Sequence, residues 1–388
     1  VIITSLFDTD LYKFTMQQCI WNRFPRAHAE YAFNCRSKDV DLRPYAEEIR
    51  AEIDALGELR FTEEELEYLR RIRYIKPGYV DSLRGFRLDP GAVRVFDDGT
   101  NLGIRVVGNW FQTILFEVPI LAIVNEVYFR NTQPNAPEQN PSGRERLREK
   151  CARINASPVP LHILEFGTRR RYSGPWQREV VETLRRETGA SFLGSSNLHL
   201  CRLLGLKPYG TMAHEFLQAG QAFTHVADAQ IFALEQWAQE YRGDLGIALS
   251  DVFGMDKFFE DFDLLFSKAY DGARHDSGDP FEWGEKLIAH YEKWGIDPRE
   301  KAAVFSDGLT IEKTIALAER FQGRIRTSFG IGTHLTNDFD FPALQIVLKL
   351  VRLNGRPVVK VSDTPGKTMS EDDTYLAYVR KAIGLDAG

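Results

Sequence analysis

The chain has 388 residues, 43% hydrophobic and 27% charged, with a net charge of −6. That length exceeds one ordinary domain and suits two, or one large α/β barrel with an attachment. The acidic balance argues against nucleic acid as the main partner, so any phosphate must be bound by a local pocket. In chain order, Asp10 is placed to cap a helix through Cys19 and Trp21, with Tyr12 in its first turn. Residues 46–56 read as a helix. A second helix opens on a capping box, Thr62 with Glu65, and carries the apolar stripe Leu66, Leu69, Ile72. Beyond Val80 the period falls to two: Val93 and Val95 alternate, Asp98-Gly99 turns, and Leu102, Ile104 and Val106 alternate again. A further strand is expected over 112–118, then an apolar helix opened by Pro119 over 120–129. Residues 131–143 hold three prolines and read as an exposed linker and domain boundary.

The second half follows another pattern. Ser142 is placed to cap a basic helix ending near Ile154. Strands are expected at 161–165, 191–193, 206–209, 245–249, 263–267, 302–305 and 324–328. Amphipathic helices are expected at 177–188, 229–241, 283–294 and 311–321. Alternation of this kind signals βα units and a parallel sheet, an irregular or incomplete (β/α) barrel with one unit too few. The expected division is a smaller α/β sandwich over 1–135, completed by 341–388, and a barrel over 136–340. The pattern of 344–361 is a hairpin joined at Asn354-Gly355.

Four widely spaced cysteines form no CxxC pair, which fits a reducing cytoplasm and argues against a zinc site. No apolar run of membrane-spanning length and no signal peptide is read. Val1 in place of Met suggests a trimmed start.

After each expected strand comes a cluster rich in Gly, Ser, Thr, Arg, His or Asp. These are residues 166–171, 194–197, 210–215, 250–254, 274–280, 306–308 and 329–334. In a barrel such loops share one face, and that face carries the chemistry. Arg274 can bind an anion, and Asp276 or Asp279 can hold a sugar hydroxyl or a metal; Asp279-Pro280 also reads simply as a helix start. His214 is the candidate catalytic group, with no histidine or cysteine near it in sequence to make a zinc site. Gly330 and Gly332 would admit a phosphate, with Thr333 opening a helix whose N–H groups face it. Gly366-Lys367-Thr368 has a P-loop ending, but Val361 replaces the first glycine, so it is no Walker motif.

Taken together, the 9–14, 165–171, 194–197, 210–216, 274–280 and 329–338 segments resemble the nicotinate phosphoribosyltransferase family over nearly the whole chain. The resemblance implies an irregular barrel beside a smaller sandwich, in a homodimer with shared active sites. It implies transfer of the phosphoribosyl group of 5-phosphoribosyl-1-diphosphate to nicotinate, coupled to ATP through a phosphohistidine, with Mg2+. On that pattern His214 is the phosphohistidine. Tyr12, from the neighbouring subunit, and Phe166 sandwich the pyridine ring; Ser196 and Thr211 lie at nicotinate. Arg169 and Arg274 take phosphates, and Asp276 takes ribose hydroxyls or Mg2+, with Asp279 the other metal candidate. Gly308, Gly330, Gly332 and Thr333 cradle the 5-phosphate. Relatives that use the amide carry an aspartate near Ser196, so the serine favours nicotinate. The chain stops earlier than the resemblance implies, which suggests a missing tail.

The alternatives are a nicotinamide or quinolinate phosphoribosyltransferase, or a non-catalytic phosphometabolite-binding barrel. A barrel aldolase would need a Schiff-base lysine, for which only Lys207 and Lys268 stand near strand ends.

Overall fold

In the computed structural model, residues 1–139, 142–362, 368 and 370–385 are described. Gly366 and Lys367 of the P-loop-like run lie outside them. The chain divides into two units. The first comprises 1–157, 162–210 and 331–349, the second 158–161, 211–330 and 350–388.

The first unit opens with the helix Leu11–Arg23, buried continuously from Leu11 to Ile20. Burying its polar side chains requires partners: Gln17 donates to the Phe111 carbonyl at 2.8 Å and Gln18 to that of Tyr74 at 3.0 Å. Asp10 stands at the N-cap position but makes no capping bond; its carboxylate accepts the Ser196 hydroxyl instead. The expected capping box is present, Thr62 and Glu65 each bonding the other's backbone.

An antiparallel sheet follows from the period-two stretches: β1 (His28–Cys35), β2 (Val93–Asp97) and β3 (Leu102–Asn109). β3 lies between the others, with Tyr31 opposite Val106 and Val95 opposite Ile104. β1 was not foreseen. Nor is there a strand at 112–118: Trp110–Thr113 is helical, and the helix Glu117–Thr132 begins soon after. The run is apolar and buried at nearly every position, so no alternation selects an outward face, and Asn109 caps the turn by accepting from Phe111 N–H at 3.1 Å. Pro119 falls within the first turn, where its missing N–H costs nothing. Trp110–Thr132 is in fact long and apolar enough to cross a membrane, contrary to expectation, but it is mostly buried within the protein. The expected linker likewise contains the helix Ala136–Gln139, and Ser142 begins the helix Ser142–Asn155.

The first unit also holds parallel strands β4 (Ile163–Glu165), β5 (Phe192–Ser195) and β6 (Lys207–Pro208), with β5 between the others. The second unit holds β7 (Ile247–Leu249), β8 (Gly272–His275), β9 (Ala302–Phe305) and β10 (Arg326–Ile331), parallel and adjacent in that order, with Ile331 falling in the first unit. The strand expected at 263–267 is a helix, Leu264–Ala269, because Asp263 accepts from Phe266 N–H and caps it. The strand comes one step later. At its start a Cβ on Gly272 would lie 2.0 Å from the Ala302 carbonyl oxygen, so only glycine allows this pairing. Arg274 and His275 therefore end a strand, with the loop beginning at Asp276.

The helices Ala229–Tyr241 and Ile311–Phe321 have the expected bounds. The hairpin joins β11 (Ile346–Leu353) to β12 (Arg356–Pro357) through Asn354 and Gly355, both at positive φ. β11 runs beside β1. Among the described residues, seven parallel strands, one fewer than a closed barrel needs, and a separate antiparallel sheet make the expected α/β fold.

Candidate active site

In the first unit, Phe166 to Arg171 leave the end of β4. A Cβ on Gly167 would lie 2.2 Å from Thr336 Oγ1, which donates to the Gly167 carbonyl at 3.1 Å. Glu165 beneath them is fully buried; it accepts from Ser195 Oγ at 2.6 Å, from Gln177 Nε2 at 3.1 Å and from Gly167 N–H. Burial pushes its pKa up to about 7 against those donors.

Ser196 donates to Asp10 Oδ1 at 2.7 Å. Burial raises the Asp10 pKa, opposed by Arg169 and by the hydroxyls of Ser196, Thr168 and Tyr12. Tyr12 is buried inside this unit of its own chain, and a Cβ on Gly210 would come within 3.2 Å of its backbone nitrogen. Arg169 is half-exposed, 3.5 Å from Glu117 Oε1. Its neighbour Arg171 is buried and grips both oxygens of Asp8 at 2.7 Å. Gly332 and Thr333 follow β10, and Thr333 opens the single-turn helix Thr333–Thr336.

In the second unit, the helix His214–Ala219 begins on His214. Its Nε2 lies 2.7 Å from Asp251 Oδ1 and 3.4 Å from Asp276 Oδ2. The other Asp251 oxygen lies 2.7 Å from Lys360 Nζ, and Lys360 is itself buried. Ser306 Oγ donates to Asp276 Oδ1 at 3.0 Å. Burial, aided by the Lys360 charge, lowers the His214 pKa to about 4 despite the two carboxylates. Burial would raise Asp251, but His214 and Lys360 hold it well below the carboxylate range. The resulting group is a neutral imidazole whose Nε2–H points at a charged carboxylate, which Lys360 meets from its other side. His214, Asp251 and Asp276 offer ligand atoms all within 4.8 Å of one another.

Arg274 lies in β8 next to its last residue, and its buried Nε has no protein partner among the described residues. Ser250 donates to the Arg274 carbonyl at 2.7 Å and accepts from Trp283 Nε1 at 2.9 Å, fixing that strand end. Asp279 Oδ1 caps the helix Pro280–Lys293, accepting from Phe281 and Glu282 N–H, so the helix-start reading holds. Gly308 takes a φ of 55°, which suits glycine, in the turn after β9. Gly330 lies within β10. Thr211 Oγ1 donates to the Ile247 carbonyl at 3.0 Å. Its proton, like that of Ser196, is committed within the protein.

The second unit thus gathers His214 and Asp276, while Tyr12, Phe166, Arg169 and Ser196 belong to the first. Asp10 was read from sequence only as a helix cap, and Asp251 and Lys360 were given no role of their own. Asp251 did carry a signal, since it follows a strand in one of the polar clusters. Lys360, beyond the hairpin, carried none.

Residues 7–125 match the nicotinate phosphoribosyltransferase (NAPRTase) N-terminal domain, and residues 161–386 match the nicotinate phosphoribosyltransferase (NAPRTase) family. The chain is 54% identical to a nicotinate phosphoribosyltransferase of Burkholderia mallei, over 99% of this chain and 98% of that protein. It is 54% identical to one of Cupriavidus necator, over 99% of each. A crystal structure of nicotinate phosphoribosyltransferase from Vibrio cholerae superposes with a TM-score of 0.95 at 40% identity, covering 100% of this chain and 96% of that one. One from Porphyromonas gingivalis gives 0.93 at 36% identity, covering 99% and 100%.

Proposed function

We propose, because the chain belongs to the nicotinate phosphoribosyltransferase family, that it joins nicotinate to 5-phosphoribosyl-1-diphosphate. The products are nicotinate mononucleotide and diphosphate, a step of NAD biosynthesis in the cytoplasm. The observation that carries this reading is the match to both family regions, in order, across nearly the whole chain.

The pyridine nitrogen attacks the anomeric carbon as diphosphate leaves, through an oxocarbenium-like transition state. Arg274, with its unspent Nε, and Arg169 stabilise the departing charge. Asp276 accepts ribose hydroxyls and stabilises the developing cation. Tyr12 and Phe166 stack on the ring, which contributes about 0.5–1.5 kcal/mol beyond burial. Gly308, Gly330, Gly332 and Thr333 surround the 5-phosphate.

ATP coupling runs through His214. A neutral ring is the nucleophilic form, and burial keeps it neutral. Asp251 holds Nε2, which leaves Nδ1 to take the phosphoryl group. Phosphorylation adds up to about two negative charges and improves binding of the ribosyl diphosphate. Mg2+ fits the hard carboxylate of Asp276 better than Asp279, whose Oδ1 caps a helix. When bound, the ion neutralises diphosphate charge. The working form is a homodimer.

One observation favours nicotinamide instead. Asp10 puts a carboxylate against Ser196, beside the position that the serine was expected to leave uncharged. Product formation from 5-phosphoribosyl-1-diphosphate, Mg2+ and either base, with and without ATP, decides. Nicotinate mononucleotide formed faster with ATP is expected. Product from nicotinamide alone would transfer the assignment to the amide, and no product from either would end it.

A further inference from the structure

The helix Glu117–Thr132 is apolar on nearly every face, yet three polar side chains on it serve one stretch of chain. Glu117 Oε1 lies 3.5 Å from Arg169 Nη1. Asn125 Nδ2, fully buried, donates to the Arg169 carbonyl at 3.1 Å. Glu126 Oε2 accepts from Gly174 N–H at 3.0 Å and lies 4.0 Å from Arg171 Nε. One rigid element therefore holds Arg169 by both its side chain and its backbone.

The second oxygen of Glu117 meets Lys13 Nζ at 2.5 Å, and Lys13 has no exposed side-chain surface. Burial alone would raise the Glu117 pKa, but Lys13 and then Arg169 hold it down at about 2. The carboxylate is thus charged and shared between a buried ammonium and a guanidinium that is 37% exposed. A long side chain left free would lose rotamer entropy on meeting a ligand. Anchoring one edge of Arg169 removes much of that loss.

We propose that Glu117 is a positioning residue for 5-phosphoribosyl-1-diphosphate: it aims Arg169, while Lys13 balances its charge and ties the segment next to Tyr12 to the same carboxylate. This rests on the reading of Arg169 as a diphosphate ligand. A merely structural Glu117 would neutralise Lys13 and nothing more.

The test is a double-mutant cycle on the full chain. Glu117→Gln alone strands the Lys13 charge in the interior, so it is paired with Lys13→Met, which keeps the volume and removes both charges. The pair is expected to raise KM for the ribosyl diphosphate about tenfold, with a smaller change in KM for nicotinate. Arg169→Ala should raise it further, and the triple variant should match Arg169→Ala. An unchanged KM in the pair, or effects that multiply in the triple, would overturn the proposal. If the pair does not fold, Glu117→Asp keeps the Lys13 partner but shortens the reach to Arg169, and KM should rise in the same direction; no rise overturns. Calorimetric binding of the ribosyl diphosphate with Mg2+ separates the two readings. A wild-type protein that binds but makes no nucleotide defeats the activity reading alone, and weaker binding by the pair still upholds Glu117. A wild-type protein that does not bind defeats both.

Discussion

At the scale of single residues, His214 has its chemistry set by neighbours distant in sequence. Asp251 grips Nε2 and Lys360 grips Asp251, so one tautomer is selected by a charge pair no local pattern announces. His214 itself was legible because it follows a strand and precedes a helix among other polar clusters. Lys360 was not, because only the tertiary fold brings residue 360 to Asp251. Replacing Asp251 with Asn removes the anion that orients the ring and that pairs with the buried Lys360. Asp251→Asn is expected to cut ATP-dependent stimulation and acid-labile phosphate incorporation about a hundredfold, while ATP-independent product formation survives. Full incorporation in this variant would mean that Asp251 does not orient the histidine.

Elements were read well where their determinants are local. The Thr62–Glu65 capping box lies within four residues, and it formed as expected. Reading failed where apolar runs lost their period. Residues 112–118 lack alternation because both faces are buried, and a short buried run looks alike as helix or strand. Residues 263–267 were decided by one cap at Asp263. β4 was foreseen, but the burden at its end was not. There Glu165 is buried with its pKa raised from 4.5 to about 7. The folded state therefore binds a proton that the unfolded state releases. The group's contribution to stability is complete below pH 4.5 and is lost as pH rises through about 7. The full span corresponds to about 3 kcal/mol as an order of magnitude. Glu165→Gln cannot titrate, so its unfolding free energy should lack this slope. Urea unfolding of both proteins at pH 5 and pH 8 measures the difference, and parallel profiles would show that Glu165 is already ionised throughout.

For the whole molecule, the count of parallel strands and the terminal hairpin were legible, because βα alternation and an Asn-Gly turn are sequence signals. The way the chain divides was not, since the first unit takes in β4 to β6 and residues 331–349, and only spatial packing groups them. The same division sharpens the question of a shared site. Tyr12 sits in the first unit, buried within its own chain, and His214 sits in the second. If each active site takes Tyr12 from the partner subunit, a heterodimer of Tyr12→Ala and His214→Ala has one site with both lesions and one with neither. Such heterodimers, isolated with two affinity tags, should then recover about half the wild-type rate, by the geometry of a twofold dimer. If Tyr12 serves the site of its own chain, each site keeps one lesion and nothing is recovered. The dimer proposed above predicts recovery. Its absence in heterodimers shown to be intact would assign Tyr12 to its own chain and would make the partner dispensable for stacking the base.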